Sequence, residues 1–162
     1  MSIPSLDATD KVVVITGGSK GLGRAMALGF AESGADVVVA SRKLAACEAV
    51  ADEVRARGRR ALPVCCHVGD WDQCAALVDA AIEEFGRIDV LVNNAGIAPV
   101  PPALIGVTED LFDKTIGVNL KGPLRLTALA AEHMSTGASI LNISSTASFA
   151  DSHVLNCLDQ VA

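Results

Sequence analysis

The sequence predicts an α/β domain built on a doubly wound parallel sheet. Three observations carry that prediction. Apolar, β-branched runs alternate with amphipathic stretches from end to end, the pattern of parallel strands joined by crossover helices. Apolar residues make up 51% of the chain and aromatics only 3%, so Val, Leu and Ala must fill the interior, as they do in a sheet covered on both faces. A glycine-rich segment, Thr16-Gly17-Gly18-Ser19-Lys20-Gly21-Leu22-Gly23, follows directly on Val12-Val13-Val14-Ile15, so the first strand feeds the first helix through a tight turn.

The first strand covers 12–15. The helix after it carries Leu22, Met26, Gly29, Phe30 and Ser33 on one face and ends at Gly34, the residue that best tolerates a left-handed cap. Its glycines and alanines read as a close approach to the sheet. The second strand covers 36–40, and a charged helix from about Leu44 to Arg57 precedes Gly58. A third strand, 61–66, leads to Asp70, a plausible N-cap, and to a helix marked by Trp71, Cys74, Val78, Ala81, Ile82 and Phe85, with Trp71 read as core packing. The fourth strand covers 89–93. The prolines of 98–102 then require a loop, because closely spaced prolines cannot sit in a helix interior. Thr108 caps a helix running through Lys114, and a longer helix spans Asn119 to Met134. That helix is apolar on two sides, Leu120 and Leu124 on one, Leu126, Leu129 and Ala130 on the other, so it is expected to be buried twice. A fifth strand covers 139–143. After Phe149 the residues fit no clear period, which divides the chain into a domain, 1–148, and an atypical tail, 149–162.

At 162 residues the chain is expected to form one domain with a substantial core. A net charge of -6 argues against a nucleic-acid surface, which needs clustered Lys and Arg. The five cysteines, Cys47, Cys65, Cys66, Cys74 and Cys157, contain no C-x-x-C pair and read as core residues of a protein in a reducing, cytoplasmic setting. No His/Cys/Asp/Glu spacing suggests a metal site. Met1 to Asp10 lacks a basic stretch followed by an apolar run, and no apolar run approaches 18 residues, so neither export nor a membrane span is expected.

The glycine turn has the chemistry of a phosphate cradle: glycines let the backbone approach a pyrophosphate, and the N–H groups and positive dipole end of the helix meet its charge. A second motif, Asn93-Asn94-Ala95-Gly96, follows Val90-Leu91-Val92. Together the two motifs resemble the short-chain dehydrogenase/reductase family, whose marks are T-G-x-x-x-G-x-G after the first strand and N-N-A-G after the fourth. Further matches are Asn119 in Val118-Asn119-Leu120-Lys121-Gly122 and the serines of Asn142-Ile143-Ser144-Ser145.

The resemblance runs from about Lys11 to Ser148. It implies a Rossmann-type dinucleotide-binding domain, incomplete here with five strands of the usual seven in the order 3-2-1-4-5. It also implies hydride transfer between NAD(P) and a small-molecule alcohol or ketone. Gly17, Ser19, Lys20, Gly21, Leu22 and Gly23 would hold the pyrophosphate. The second strand ends at Ser41-Arg42 without the acid that would bond a ribose 2′-OH, whereas the Arg42 fork, with Lys20, suits a 2′-phosphate. NADP is therefore expected ahead of NAD. His67 and Val68 would lie beside the adenine, His67 standing where the family has an aspartate. Asn94, Ala95 and Gly96 would shape the nicotinamide-side ribose pocket, Ser145 would hydrogen-bond the substrate carbonyl, and Asn119 would hold a water in the proton relay.

The family's Tyr-x-x-x-Lys pair would fall on Leu158 and Ala162, and the sequence contains no tyrosine. Catalysis is therefore expected to be impaired, with a non-catalytic NADP-binding module or a truncated or frameshifted product as the alternative. Strand 139–143 would be an uncovered apolar edge, a route to self-association or a homo-oligomer.

Overall fold

The computed structural model describes residues 7–99, 101 and 103–145, and the expected tail lies outside them. Its strands are β1 (Val12–Thr16), β2 (Asp36–Ser41), β3 (Ala61–Cys65), β4 (Val90–Asn93) and β5 (Ser139–Asn142). All four pairings are parallel and the order is β3-β2-β1-β4-β5, as the resemblance implied. The helices are α1 (Gly21–Glu32), α2 (Leu44–Arg55), α3 (Trp71–Phe85), α4 (Glu109–Ile116) and α5 (Gly122–Ala131).

Because side chains alternate along a strand, β1 sends Val13 and Ile15 to one face and Val14 to the other. The first pair joins Val37, Val39 and Val92 under residues of α1 and α2. Val14 joins Val38, Leu91 and the buried stripes of α3 and α5. The chain is thus doubly wound, and β1, β2 and β4 are buried on both sides.

Local chemistry sets several ends. The Asp70 carboxylate accepts the N–H groups of Asp72 and Gln73 at the start of α3, and the Thr108 hydroxyl accepts that of Leu111 at the start of α4, so both expected caps are present. Gly86 closes α3 in a left-handed conformation, φ 75°. Pro63 sits on β3, at the sheet edge, where a missing N–H leaves no ladder bond broken inside the sheet.

Three expectations need correction. On α1 the buried residues are Gly23, Ala27, Leu28 and Ala31, while Leu22 is 70% exposed and Gly29 faces open space. The close approach at Gly23 is to the Gly17 carbonyl and the Asn94 amide, while Ala27, Leu28 and Ala31 are buried in the core and Met26 and Phe30, from the expected face, pack against it partly buried. Trp71 is 48% exposed rather than packed in the core. As the first residue of α3 it lies at the surface, with the Arg125 guanidinium 5.1 Å above its ring centre. The long helix expected over 119–134 instead begins with a π turn, Gly117–Lys121, that continues from α4 and passes into α5, which ends at Ala131. Of its two apolar sides only one is covered: Leu126 and Ala130 are buried, Leu120 and Leu124 exposed.

One buried carboxylate was not singled out from the sequence. Asp89, just before β4, accepts the Val12 N–H at 2.9 Å and the Arg87 Nε at 2.8 Å, with Lys11 Nζ 3.5 Å away. Burial alone would raise its pKa, but the Arg87 fork, the Val12 N–H and the Lys11 charge outweigh it and leave Asp89 below its ordinary value of 3.8. A carboxylate depressed in the folded state stabilises fully above its unfolded pKa and loses that contribution as pH falls through the folded value. Asp89→Ala is expected to cost about 1–3 kcal/mol near neutral pH by orphaning the Val12 N–H and the Arg87 charge. Urea unfolding of both proteins should show the gap beginning to narrow below about pH 4, where the unfolded carboxylate takes up its proton, and narrowing until the pH has passed the lowered native value. A gap independent of pH would mean that packing, not charge, is what Asp89 contributes.

Candidate functional site

At β1 the sheet reverses: the chain moves outward through β2 and β3, then returns to lay β4 on the other side. Crevices at the carboxyl ends of strands at such a switch point are where α/β sheets bind ligands. Here a groove of about 960 Å³ opens at that point.

The turn between β1 and α1 forms its floor. Gly17 and Gly21 have φ of +64° and +53°, left-handed conformations natural to glycine. A Cβ on Gly23 would lie 2.2 Å from the Gly17 carbonyl oxygen, so only glycine lets the helix start this close to the turn. Unlike α3 and α4, α1 has no side-chain cap: Lys20 makes no capping bond and the first turn contains no acid. The N–H donors of that turn are thus left for a ligand, beside the positive end of the helix.

The two sequence motifs are joined through Thr16 and Asn94. The Thr16 hydroxyl donates to the Val92 carbonyl and accepts the N–H groups of Asn94 and Ala95. The Asn94 side-chain amide donates back to the carbonyls of Thr16, at 2.9 Å, and Gly17, at 3.3 Å. This lock turns the end of β4 toward the glycine turn, so Asn94, Ala95 and Gly96 line the same groove as Gly17, Ser19, Lys20, Gly21, Leu22 and Gly23.

Further out, the groove runs past Ser41 and Arg42 at the end of β2 to His67 and Val68 after β3. Every cofactor-binding residue expected from the sequence therefore faces one cavity. Lys43, Cys66, Ile97, Lys114 and Val118 also line it and were not expected. Lys114 and Val118 are four apart, a spacing that puts both on one helical face, but nothing in the sequence says that this face looks into the groove.

The charge distribution is uneven. Of 13 Lys and Arg, seven make ion pairs: Lys11, Arg24, Arg55, Arg57, Arg59, Arg60 and Arg87. Among the described residues the other six, Lys20, Arg42, Lys43, Lys114, Lys121 and Arg125, form no ion pair, and the first four line this groove. Four of the six unpaired cations of a protein of net charge -6 thus line one groove.

A second cavity, about 660 Å³, adjoins the groove, and Ala95, Gly96 and Ile97 line both. Asn119 and Ser145, the expected catalytic residues, line this cavity together with Asn93, Thr127 and Asn142. Asn119 lies in the π turn, and its amide clasps one residue: Oδ1 accepts the Ile97 N–H at 2.9 Å and Nδ2 donates to the Ile97 carbonyl at 2.8 Å. That leaves one lone pair and one N–H for a water, so Asn119 first of all fixes the loop dividing the cavities. Asn93, 4% exposed, donates to Asn142 Oδ1 at 2.9 Å and to the Thr127 hydroxyl at 3.3 Å, and its own Oδ1 has no protein partner.

The cysteines are mostly interior: Cys47, Cys66 and Cys74 are buried, Cys65 is exposed, and Cys157 lies outside the described residues. Burial pushes the Cys47 thiol up, against the opposing effect of the Ser41 hydroxyl 3.0 Å away. No group of three or more metal-ligating side chains occurs among the described residues.

The family model described as short chain dehydrogenase matches residues 11–157. An uncharacterized oxidoreductase of Methylorubrum extorquens is 44% identical over 137 residues, 83% of this chain and 54% of the relative. Among solved structures, a short chain dehydrogenase from Burkholderia cenocepacia in complex with NADP is 33% identical with a TM-score of 0.88, over 95% of this chain and 62% of that one. A 7α-hydroxysteroid dehydrogenase complexed with NADH and 7-oxo glycochenodeoxycholic acid is 29% identical with a TM-score of 0.91, over 99% of this chain and 64% of that one. The chain spans about half the length of the curated relatives it matches.

Proposed function

The chain belongs to the short chain dehydrogenase family, a family of oxidoreductases, and we propose that its groove binds NADP in preference to NAD. The observation that carries this reading is the set of unpaired cations, Lys20, Arg42, Lys43 and Lys114, along a groove floored by a glycine turn and an uncapped helix N-terminus. A dinucleotide brings a pyrophosphate for the turn, and NADP brings a further phosphate for Arg42 and Lys20 at the end of β2, where no carboxylate stands to bond a 2′-OH.

In this reading the bound cofactor supplies or accepts a hydride at its nicotinamide ring, and the substrate is a small ketone or secondary alcohol. Asn94, Ala95 and Gly96 shape the nicotinamide-side ribose pocket. The Ile97 loop, held by Asn119, separates cofactor from substrate, and Ser145 hydrogen-bonds the substrate carbonyl. The 162 residues lack a tyrosine, so they bind better than they catalyse. A non-catalytic NADP-binding module is the second reading, favoured by the same absence. The free cysteines suit the reducing, cytoplasmic setting we assign, and among the described residues no helix is long and apolar enough to cross a membrane.

Thermal unfolding with and without nucleotide tests the cofactor. NADPH at a hundredfold excess over its dissociation constant is expected to stabilise the chain by about 2.7 kcal/mol. Arg42→Asp should shift the preference toward NADH. An unchanged melting temperature at millimolar NADPH would sink the reading.

We also propose that the chain associates with itself through β5. All four residues of that strand are exposed, Ile140 at 37% and Leu141 at 40%, and its outer backbone edge has no partner strand among the described residues. Such an edge is a template for another chain. Light scattering should show concentration-dependent association that Ile140→Lys reduces. A monodisperse monomer at high concentration would refute it.

A further inference from the structure

From the glycine turn at β1 the groove leads outward past the end of β2 to the end of β3. A dinucleotide whose pyrophosphate lies on the turn and whose ribose lies at Ser41–Arg42 must therefore bring its base to Cys66, His67 and Val68, opposite Val118. Cys66, Val68 and Val118 give that end apolar walls suited to the faces of a flat ring, and His67 brings an imidazole to it.

The state of His67 follows from its neighbours. Its backbone N–H donates to Gln73 Oε1 at 2.8 Å, which holds the residue in place. The Gly69 N–H donates to His67 Nδ1 at 3.2 Å, so that nitrogen is an acceptor and carries no proton. A Cβ on Gly69 would lie 2.9 Å from His67 Cε1, so the glycine is what lets the ring lie against the loop. In a neutral imidazole with Nδ1 accepting, Nε2 carries the hydrogen. Nε2 has no partner among the described residues, and the ring lines the groove.

We propose that His67 is a specificity-determining residue that presents an N–H donor to the purine base, so the base is read through an acceptor and not through its 6-amino group. A carboxylate at this position would accept from the 6-amino group and repel a 6-oxo oxygen. The Nε2–H does the reverse: it takes a ring nitrogen of adenine or the O6 of hypoxanthine. The groove therefore tolerates a 6-oxopurine dinucleotide that an aspartate would exclude.

This inference rests on the dinucleotide reading above, and the test separates the two. The dissociation constants of NADPH and its hypoxanthine analogue, differing only at the base, are measured by fluorescence titration against the 162-residue chain, His67→Asp and His67→Gln. The unmodified chain should bind both within about threefold, because either base offers an acceptor. His67→Asp should favour the adenine form by tenfold or more, since a hydrogen bond to a charged group is worth about a factor of ten or above. His67→Gln, which keeps a donor and adds an acceptor, should leave the ratio near that of the unmodified chain and shows that any Asp effect is not a folding defect. If neither nucleotide binds the unmodified chain, the dinucleotide reading fails. If both bind and His67→Asp leaves their ratio unchanged, or the unmodified chain already prefers adenine more than tenfold, the role of His67 alone is overturned.

Discussion

Ketone reduction by the 162-residue chain is expected to be lower by at least about 10²-fold than an intact proton-relay site would give. Reducing a carbonyl needs a proton delivered to its oxygen as the hydride arrives, and a positioned general acid is worth about 10² to 10⁴ in rate. Asn119 and Ser145 line one cavity, where the proposed reading has them supply the hydrogen bonds of such a site. Neither group is acidic enough to give up a proton near neutral pH, and the sequence contains no tyrosine. Orientation suffers as well, because the cavity is bounded on one side by the exposed strand β5, and effective molarity falls when a substrate is held loosely. Single-turnover oxidation of bound NADPH against a panel of ketones measures this directly. Turnover near about one per second, the low end of ordinary enzymes, abolished by Ser145→Ala, would show that another residue delivers the proton.

Gly23→Val is expected to disable the groove almost completely. Its Cβ would fall 2.2 Å from the Gly17 carbonyl oxygen and 2.6 Å from the Asn94 amide, so a backbone atom and the link between the two motifs must both move. Overpacking costs about 1–3 kcal/mol when side chains can yield, and here the obstacle includes main chain. A fall in melting temperature of several degrees and a rise of at least about tenfold in the NADPH dissociation constant are expected. Gly21→Ala provides the contrast. Its Cβ meets nothing within 4 Å, so only the left-handed backbone, φ +53°, is charged against it, about 1–2 kcal/mol. Equal effects of the two substitutions on nucleotide affinity would mean that backbone freedom, not the close approach of α1, makes this turn glycine-rich.

The strands and the groove floor were legible in the sequence because their signals are local. Four consecutive apolar residues before a glycine turn specify a strand feeding a helix whatever lies elsewhere, and the predicted strand bounds differ from the observed ones by about a residue. Asp70 and Thr108 were legible for the same reason, since a cap bonds N–H groups two or three residues away. The misread features are those in which distant segments compete. Trp71 has the composition of a core residue, but it is the first residue of α3, where Arg125 from α5 covers its ring at the surface. The π turn arises where Gly122 passes the Val68 carbonyl, with no room for a Cβ, and Asn119 reaches back to Ile97; neither contact can be seen in residues 117–121 themselves.

By itself the sequence determined the parallel α/β architecture, the glycine cradle, the absence of an acid after β2 and the family to which the chain belongs. All of these follow from residues adjacent in the chain, where backbone geometry and side-chain chemistry act over one turn or one strand. Only the tertiary structure decided which helix faces are covered, that Thr16 and Asn94 join the two motifs, that Lys43 and Lys114 come to the same groove as Arg42, and that the Gly69 N–H meets Nδ1 of His67. Those outcomes depend on distances between segments far apart in the chain, and such distances exist only once the sheet has brought the strand ends together.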